Sequence, residues 1–311
     1  MKCVYIGDFR QAYSSENYVT YGLQRLGVEV IQWQENKEAT LHALFLWVMS
    51  QKPDFVLFCK ARVWSSGDLL IKELRKARIP TITWLFDLYF DLPREMGTNR
   101  TVHDAPFHTD LVLTSDGGHD AQWKKLGINH VTLRQGIHEP EALIGKVIAN
   151  HPPIVFVGSA SYHVRNSMIS SLRERYGILF RHYGEGGTGP GIRGLNLNNV
   201  FASAKIVIGD SVPSNNYWSN RIYETLGRGG FLLHPKVGGL EKEFQYYKHF
   251  IPFNYNKIEE LFEIIDYYLV HDKKRKAIQK AGFEFVRDNY TYTIRCKTLI
   301  QEAQKNIGIR G

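Results

Sequence analysis

Cysteine is scarce in this 311-residue chain. Its three copies, Cys3, Cys59 and Cys296, lie far apart, which argues against a disulfide framework and against the paired spacing of a structural zinc site. Cys3 and Cys59 stand inside apolar, strand-like runs and read as core residues. Long hydrophobic runs are lacking too. The most apolar stretch, Leu41 to Met49, falls well short of the ~20 residues that a membrane span needs and reads as a buried amphipathic helix. The opening MKCVYIGDFR breaks at Gly7-Asp8, too early for a signal peptide. A soluble, cytoplasmic protein is therefore expected. No low-complexity tract or short-period repeat is present, which sets aside fibrous, disordered and solenoid architectures.

What is present is an ordinary globular composition, 43% hydrophobic and 23% charged, on a length that suits two domains. The net charge is +8. Residues 1–150 hold as many basic as acidic side chains, so the whole excess lies in residues 151–311, and that half is expected to meet an anion. A nucleotide diphosphate is sufficient to explain it, and a nucleic acid is not required.

Short apolar segments alternate with helical periods. Strands are predicted at Cys3–Ile6, Val28–Trp33, Phe55–Phe58, Thr81–Phe86, Leu111–Thr114 and Val131–Arg134, with a helix over Tyr18–Leu26 capped by Ser14 or Ser15, and another through LLIKELRKA capped by Ser65 or Ser66. His151-Pro152-Pro153 reads as an extended linker. The alternation then restarts at Ile154–Val157, Ile178–Tyr183, Ile206–Gly209 and Phe231–Leu233, with helices through Met168–Leu172 and Arg221–Leu226. From about Asn256 onward the pattern is helical, and a terminal helix often crosses back onto the first domain in such architectures. The expected fold is α/β, two Rossmann-like doubly wound parallel-sheet domains facing a cleft, residues 1–150 on the acceptor side and 151–311 binding a nucleotide-sugar.

The stretch SNRIYETLGRGGFLLHPKVGGLEKEF, residues 219–244, resembles the nucleotide-sugar segment of CgeB-like glycosyltransferases, related to the large family 4 group with the GT-B fold. An Asn-Arg pair leads into a helix carrying a Glu, then a small-residue turn and a strand: here Asn220, Arg221, Glu224, Gly227, Gly229 and Gly230. KKRKAIQKAGFEFVRDNYTYTIR, residues 273–295, is similar to the family's closing helices, with Tyr290 in place of the His of its His-Thr-Tyr turn. IVFVGSASYHVRNSMI, ITWLFDLYFD and TSDGGHDAQWKKLG match more loosely. The resemblance implies sugar transfer from a nucleotide-diphosphate carrier, uridine-type first, to a hydroxyl, by a hexosyl- or pentosyltransferase. It implies no permanently bound cofactor. The Asp-x-Asp metal motif of fold-A glycosyltransferases is absent, and no metal is expected.

The resemblance implies that Glu224 bonds the donor ribose, a task for which a carboxylate can accept from two vicinal hydroxyls. Where family 4 places an earlier Glu on the donor sugar, this chain has Asn216, whose amide can still bond a hydroxyl. Tyr217 and Trp218 beside it read as sugar-face or core aromatics. Gly158-Ser159 after a strand and Ser219-Asn220 before a helix are candidate diphosphate cradles, with Arg165 and Arg221 as the cations. The strand ending at Tyr183-Gly184 leads into a glycine-rich loop through Gly191, which reads as a base pocket or as a plain surface loop; no Gly-Lys-Ser/Thr follows it. For a general base, Asp87 at the end of its strand comes first, then Asp91 and Asp8. A retaining enzyme needs no such base. His103, His108 and His119 read as loop residues near the acceptor.

The acceptor is open: a hydroxymethylated pyrimidine of phage DNA, or a protein, small-molecule or cell-surface glycan. Lys60, Arg62, Lys72, Arg75, Lys76 and Arg78 form either a patch for a DNA backbone or a solvated helix face. A nucleotide-sugar 2-epimerase and a non-catalytic nucleotide-sugar-binding protein are the alternatives on this fold.

Overall fold

The alternation of apolar runs and helical periods folds into two parallel sheets. The computed structural model describes every residue except 36–39, 60–66, 88, 91–104, 161–162, 213 and 310–311. The chain divides into two compact units, Met1–Gln135 with Tyr292–Gly311, and Gly136–Thr291.

The first unit runs β1 (Lys2–Gly7), α1 (Ser15–Arg25), β2 (Glu29–Gln34), α2 (Leu41–Gln51), β3 (Phe55–Cys59), α3 (Gly67–Lys76), β4 (Thr81–Leu85), β5 (Leu111–Thr114), α4 (Asp120–Lys125) and β6 (His130–Thr132). The sheet order is β2-β1-β3-β4-β5-β6, all parallel. Ser14 caps α1, its hydroxyl accepting from the Asn17 amide at 3.2 Å, so of the two expected caps the earlier one is used. Ser65 and Ser66 lie outside the described residues. The inner strands β3, β4 and β5 are buried along their whole length, as a sheet covered on both faces requires. The helix expected at Leu41–Met49 forms, but only Val48 on it is fully buried and Leu46 is half exposed. Val48 joins the core with Val4, Ile6, Val56 and Phe58, and Leu41, Leu44, Phe45 and Trp47 are partly buried against it.

Helix α10 (Tyr292–Ile307) belongs to this first unit. Tyr292, Cys296, Leu299 and Ala303 join Cys3, Tyr18, Leu23 and Trp84 in one core. The approach to α1 is close. A Cβ on Gly22 would stand 2.8 Å from both the Cys296 sulfur and the Tyr292 carbonyl oxygen. All three cysteines are free and buried.

The second unit runs β7 (Ile154–Val157), α5 (His163–Tyr176), β8 (Phe180–Tyr183), α6 (Gly194–Ser203), β9 (Ile206–Ile208), α7 (Arg221–Gly227), β10 (Leu232–Pro235), β11 (Ile251–Phe253), α8 (Ile258–Val270) and α9 (Asp272–Asn289). Its parallel sheet is ordered β11-β10-β9-β7-β8. The strand order therefore reverses between β7 and β9, which makes the carboxyl ends of those two strands the topological switch point where such sheets bind ligands. β11 was not anticipated. Its Pro252 sits opposite His234 on an edge strand bonded on one side only, where a missing N–H is tolerated.

This unit begins before the linker expected at His151. Ile137 is fully buried among Trp218, Ile222 and Leu226, and the Asn198 amide donates to the carbonyls of Glu141 and Leu143 at 2.8 and 2.6 Å. Residues 136–148 are thereby stitched to the second unit, and the prolines at 152–153 only introduce β7. Among the described residues no helix is long and apolar enough to cross a membrane.

Candidate functional site

At the carboxyl end of β9, the chain turns through Gly209 into Asp210, which is 3% exposed. Two arginines converge on its carboxylate. Arg165, in the first turn of α5, donates from Nε to Oδ2 at 2.5 Å. Arg221, at the start of α7, contacts Oδ1 through Nη1. Each guanidinium is also anchored to backbone at the end of β7: Arg165 donates to the Ser159 carbonyl at 2.6 Å and Arg221 to the Val157 carbonyl at 3.1 Å. Both stand over the Phe156 ring, 5.9 and 5.2 Å from its centroid. Burial and the neighbouring Arg165 both press against the charged form of Arg221, and the Asp210 carboxylate on the same guanidinium holds it charged. The Ser219 hydroxyl donates to the Asp210 carbonyl at 3.1 Å, drawing the loop before α7 onto the same place.

The backbone here is shaped for close approach. Gly158 has φ +150°, and a Cβ on it would lie 2.5 Å from Arg221 Nη2. Gly184 has φ +120°, with its own Cβ position 2.6 Å from the Gly158 carbonyl oxygen. Only glycine fits either point. His182 is kept neutral by burial, so its Nε2 proton donates to the Gly158 carbonyl at 2.6 Å while Nδ1 accepts from Arg173 at 3.1 Å. The glycine-rich loop bonds to itself and to its neighbour: Gly184 N to Gly189 O, Gly187 N to Gly184 O, and Ala160 N to Glu185 O. The Ser159 hydroxyl donates to Glu185 at 2.8 Å.

A second cluster surrounds Glu224. Its Oε2 accepts from Arg228 Nε and Nη2 at 2.9 and 2.8 Å, and its Oε1 accepts from the Asn220 amide at 3.2 Å. Arg228 is 1% exposed and also meets Glu141 Oε2, Asn198 Oδ1 and the Gly194 carbonyl. Burial opposes its charge, but Glu224 and Glu141 outweigh burial and raise its pKa further. Glu224 keeps one-fifth of its side chain exposed, so its carboxylate is held in one orientation with an open flank.

The structure thus gathers Gly158, Ser159, Arg165, Gly184, Ser219 and Arg221 around Asp210, and Asn220 with Glu224 around Arg228. It takes the Tyr183 side chain elsewhere. That ring is buried with Val155, Leu197 and Val200, and its hydroxyl bonds His151 Nε2 at 2.8 Å. Asn216, at φ +59°, donates its backbone N–H to the Gly238 carbonyl at 2.6 Å, and its side chain packs on Gly239 of the following turn. Trp218 is core, its Nε1 donating to the Tyr223 hydroxyl at 3.0 Å, and Tyr217 is buried as well.

In the first unit, Asp87 is exposed immediately beyond β4, while Asp91 lies outside the described residues. Asp8, after β1, is clamped by Arg10 Nε and Nη2 at 2.8 and 2.6 Å and by Gln34 at 3.0 Å. Hydrogen bonds from Arg10 hold its pKa far below the usual carboxylate range, which makes it a weak base. Asp116, fully buried after β5, accepts from the amides of Tyr89 and Phe90 at 2.9 and 3.0 Å and stands 3.3 Å from His119. It ties the loop following Asp87 to β5. His108 pairs with Asp68 at 2.6 Å, and His103 lies outside the described residues. Of the basic run, Arg75 pairs with Asp110 and Lys76 with Glu73; Lys60 and Arg62 lie outside the described residues. Among the described residues no three His, Cys, Asp or Glu side chains are grouped to hold a metal.

Asp210, Arg228 and Glu141 were not anticipated from sequence. Asp210 follows a strand by two residues, the signal that singled out Asp8. Arg228 is four residues beyond Glu224, the helical ion-pair spacing. Glu141 had no local signal, because its partner is 87 residues away.

No curated protein matches the chain in sequence. The structure resembles Anabaena HepE in complex with UDP and glucose (TM-score 0.68, 11% identity, covering 98% of this chain and 100% of that one). It also resembles sucrose-phosphate synthase from Thermosynechococcus elongatus (TM-score 0.67, 12% identity, all of both chains) and a glycosyltransferase from Rickettsia africae (TM-score 0.58, 11% identity, 98% of each). At such identities the likeness establishes the fold, two Rossmann-like units of the GT-B class. Residues 165–301, which include Arg165, Asp210, Arg221, Glu224 and Arg228, match the family model described as glycosyl transferase-like.

Proposed function

We propose that this protein is a glycosyltransferase that takes a sugar from a nucleotide diphosphate, a uridine donor first, and passes it to a hydroxyl. The observation that carries the reading is the arginine pair at the β7/β9 switch point. Arg165 and Arg221 converge beside Gly158, where the backbone is bare of a Cβ. A planar fork with fixed donors suits phosphate oxygens, and two of them beside a glycine turn suit a diphosphate. In this reading the arginines stabilise the departing diphosphate, so turnover is expected to persist in a chelator. Glu224, with its open flank, takes the ribose hydroxyls. The Gly184–Gly191 loop borders the base. Asp87 serves as the base toward the acceptor. The resemblance to CgeB-like glycosyltransferases supports the donor assignment, and a hydroxymethylated pyrimidine in DNA is the acceptor to try first.

A ligand held only by the folded state raises the melting temperature. The test is a thermal-shift screen of UDP, GDP, ADP and TDP with their sugar conjugates. A selective shift with the uridine series is expected. Absence of any shift on well-folded protein would remove the donor assignment.

A further inference from the structure

Asp210 presents a puzzle for a phosphate site. A carboxylate, 4% exposed, occupies the space between the two guanidinium groups that converge at the switch point. Two guanidiniums and one carboxylate leave a single net positive charge. At the rim, exposed Arg193 acts on Arg221 and Arg173 reaches His182 and the Gly186 carbonyl, with Glu185, on the Ser159 hydroxyl, opposed to them. His182 and His234 are held neutral by burial. The centre of the site is therefore weakly cationic by construction, although a pair of unopposed arginines there would bind phosphate more strongly.

We propose that Asp210 is a specificity-determining counter-charge, which tunes the site to the doubly charged diphosphate of a sugar nucleotide and against the more highly charged free nucleoside di- and triphosphates. The inference rests on the donor reading above. A sugar nucleotide carries one negative charge on each phosphate. A free nucleoside diphosphate carries about three charges and a triphosphate about four near pH 8, because the terminal phosphate ionises a second time with a pKa of about 6. With two arginines alone, affinity would climb with every added ligand charge, and product and triphosphate would outcompete the donor. A charge at position 210 about 8 Å from the added ligand charge, at an effective dielectric of about 60 for a half-hydrated site, changes affinity about threefold per charge.

The experiment is titration calorimetry in chelator with UTP, UDP and the UDP-sugar giving the largest thermal shift, on the wild-type chain and on Asp210→Asn. Wild-type protein is expected to bind UTP no more tightly than the UDP-sugar. In Asp210→Asn the affinity for UTP relative to the UDP-sugar is expected to rise about tenfold, with UDP between. Asp210→Ser serves as the second replacement, and the wild-type series needs no variant at all. Wild-type affinity that climbs steeply with ligand charge would overturn the proposal. So would a variant in which all three affinities fall by one factor, since Asp210 would then merely hold the arginines in place. Binding of none of the three by the wild type would instead strike the donor reading itself.

Discussion

Replacing Arg228 by Met tests the account of the Glu224 cluster most sharply. The methionine fills much of the same volume but donates nothing. It would leave Glu224 Oε2 without its two donors, and Glu141, 7% exposed, without its guanidinium partner. Breaking a buried ion pair from one side costs about 3–5 kcal/mol. In a unit of this size, each kcal/mol is worth about 2–4 °C, so the melting temperature is expected to fall by roughly 6–20 °C. The deficit carries a pH signature. Two carboxylates left facing each other without the guanidinium repel while both are ionised, and protonating one relieves them. The loss is therefore largest at pH 8 and shrinks toward pH 5. Thermal denaturation at the two pH values reads this directly, and adding Glu141→Gln should restore part of the loss at pH 8. A variant melting within about 2 °C of wild type, or one equally impaired at both pH values, would refute the reasoning.

Gly158→Ala combines a left-handed φ with a Cβ 2.5 Å from Arg221 Nη2; it is expected to abolish the nucleotide-induced shift at a stability cost of about 1–3 kcal/mol, and an unchanged shift would move the diphosphate elsewhere. Asp87→Asn is expected to stop transfer while sparing donor binding, whereas Asp8→Asn should leave turnover nearly intact, because Arg10 has already taken up that carboxylate; single-turnover assays on both would separate them. His234, fully buried, is pushed down by burial to about 4. The unfolded chain takes up that proton near 6.5, so the stability from His234 is complete above that pH and is lost as pH falls from about 6.5 toward 4, at most about 3 kcal/mol. His234→Asn should blunt this acid limb in a melting-temperature profile, and a profile that does not change would refute the assignment.

The fold was legible where burial enforced a pattern. Leu111–Thr114 and Ile154–Val157 are inner strands with one role, and their ends can be read from the sequence alone. Legibility fell where long-range contacts decided. The prolines at 152–153 look like a domain boundary, but residues 136–148 are held by Asn198, Arg228 and the core around Ile137, contacts invisible to local pattern. The site divided in the same way. Gly158, Arg165 and Arg221 carry residue-type signals that survive in sequence. Asp210 reveals its part only once β7 and β9 are adjacent, since its partners lie 45 and 11 residues away in opposite directions. Tyr183 misled because its ring is buried with Leu197 and Val200 and against Gly189 of the loop it precedes, its hydroxyl taken up by His151.

The placement of α10 has a consequence for how the chain is made. The second unit is one unbroken stretch, Gly136–Thr291, and can close as soon as it leaves the ribosome. The first unit begins earlier yet finishes later. Its α1 face, with Tyr18, Leu23 and the bare flank of Gly22, stays uncovered until Tyr292–Ile307 has been synthesised. Through the whole translation of the second unit, the nascent chain carries an apolar seat awaiting its last helix. Chaperone capture, or mispairing with another chain's free helix, would be concentrated at that seat and in that interval.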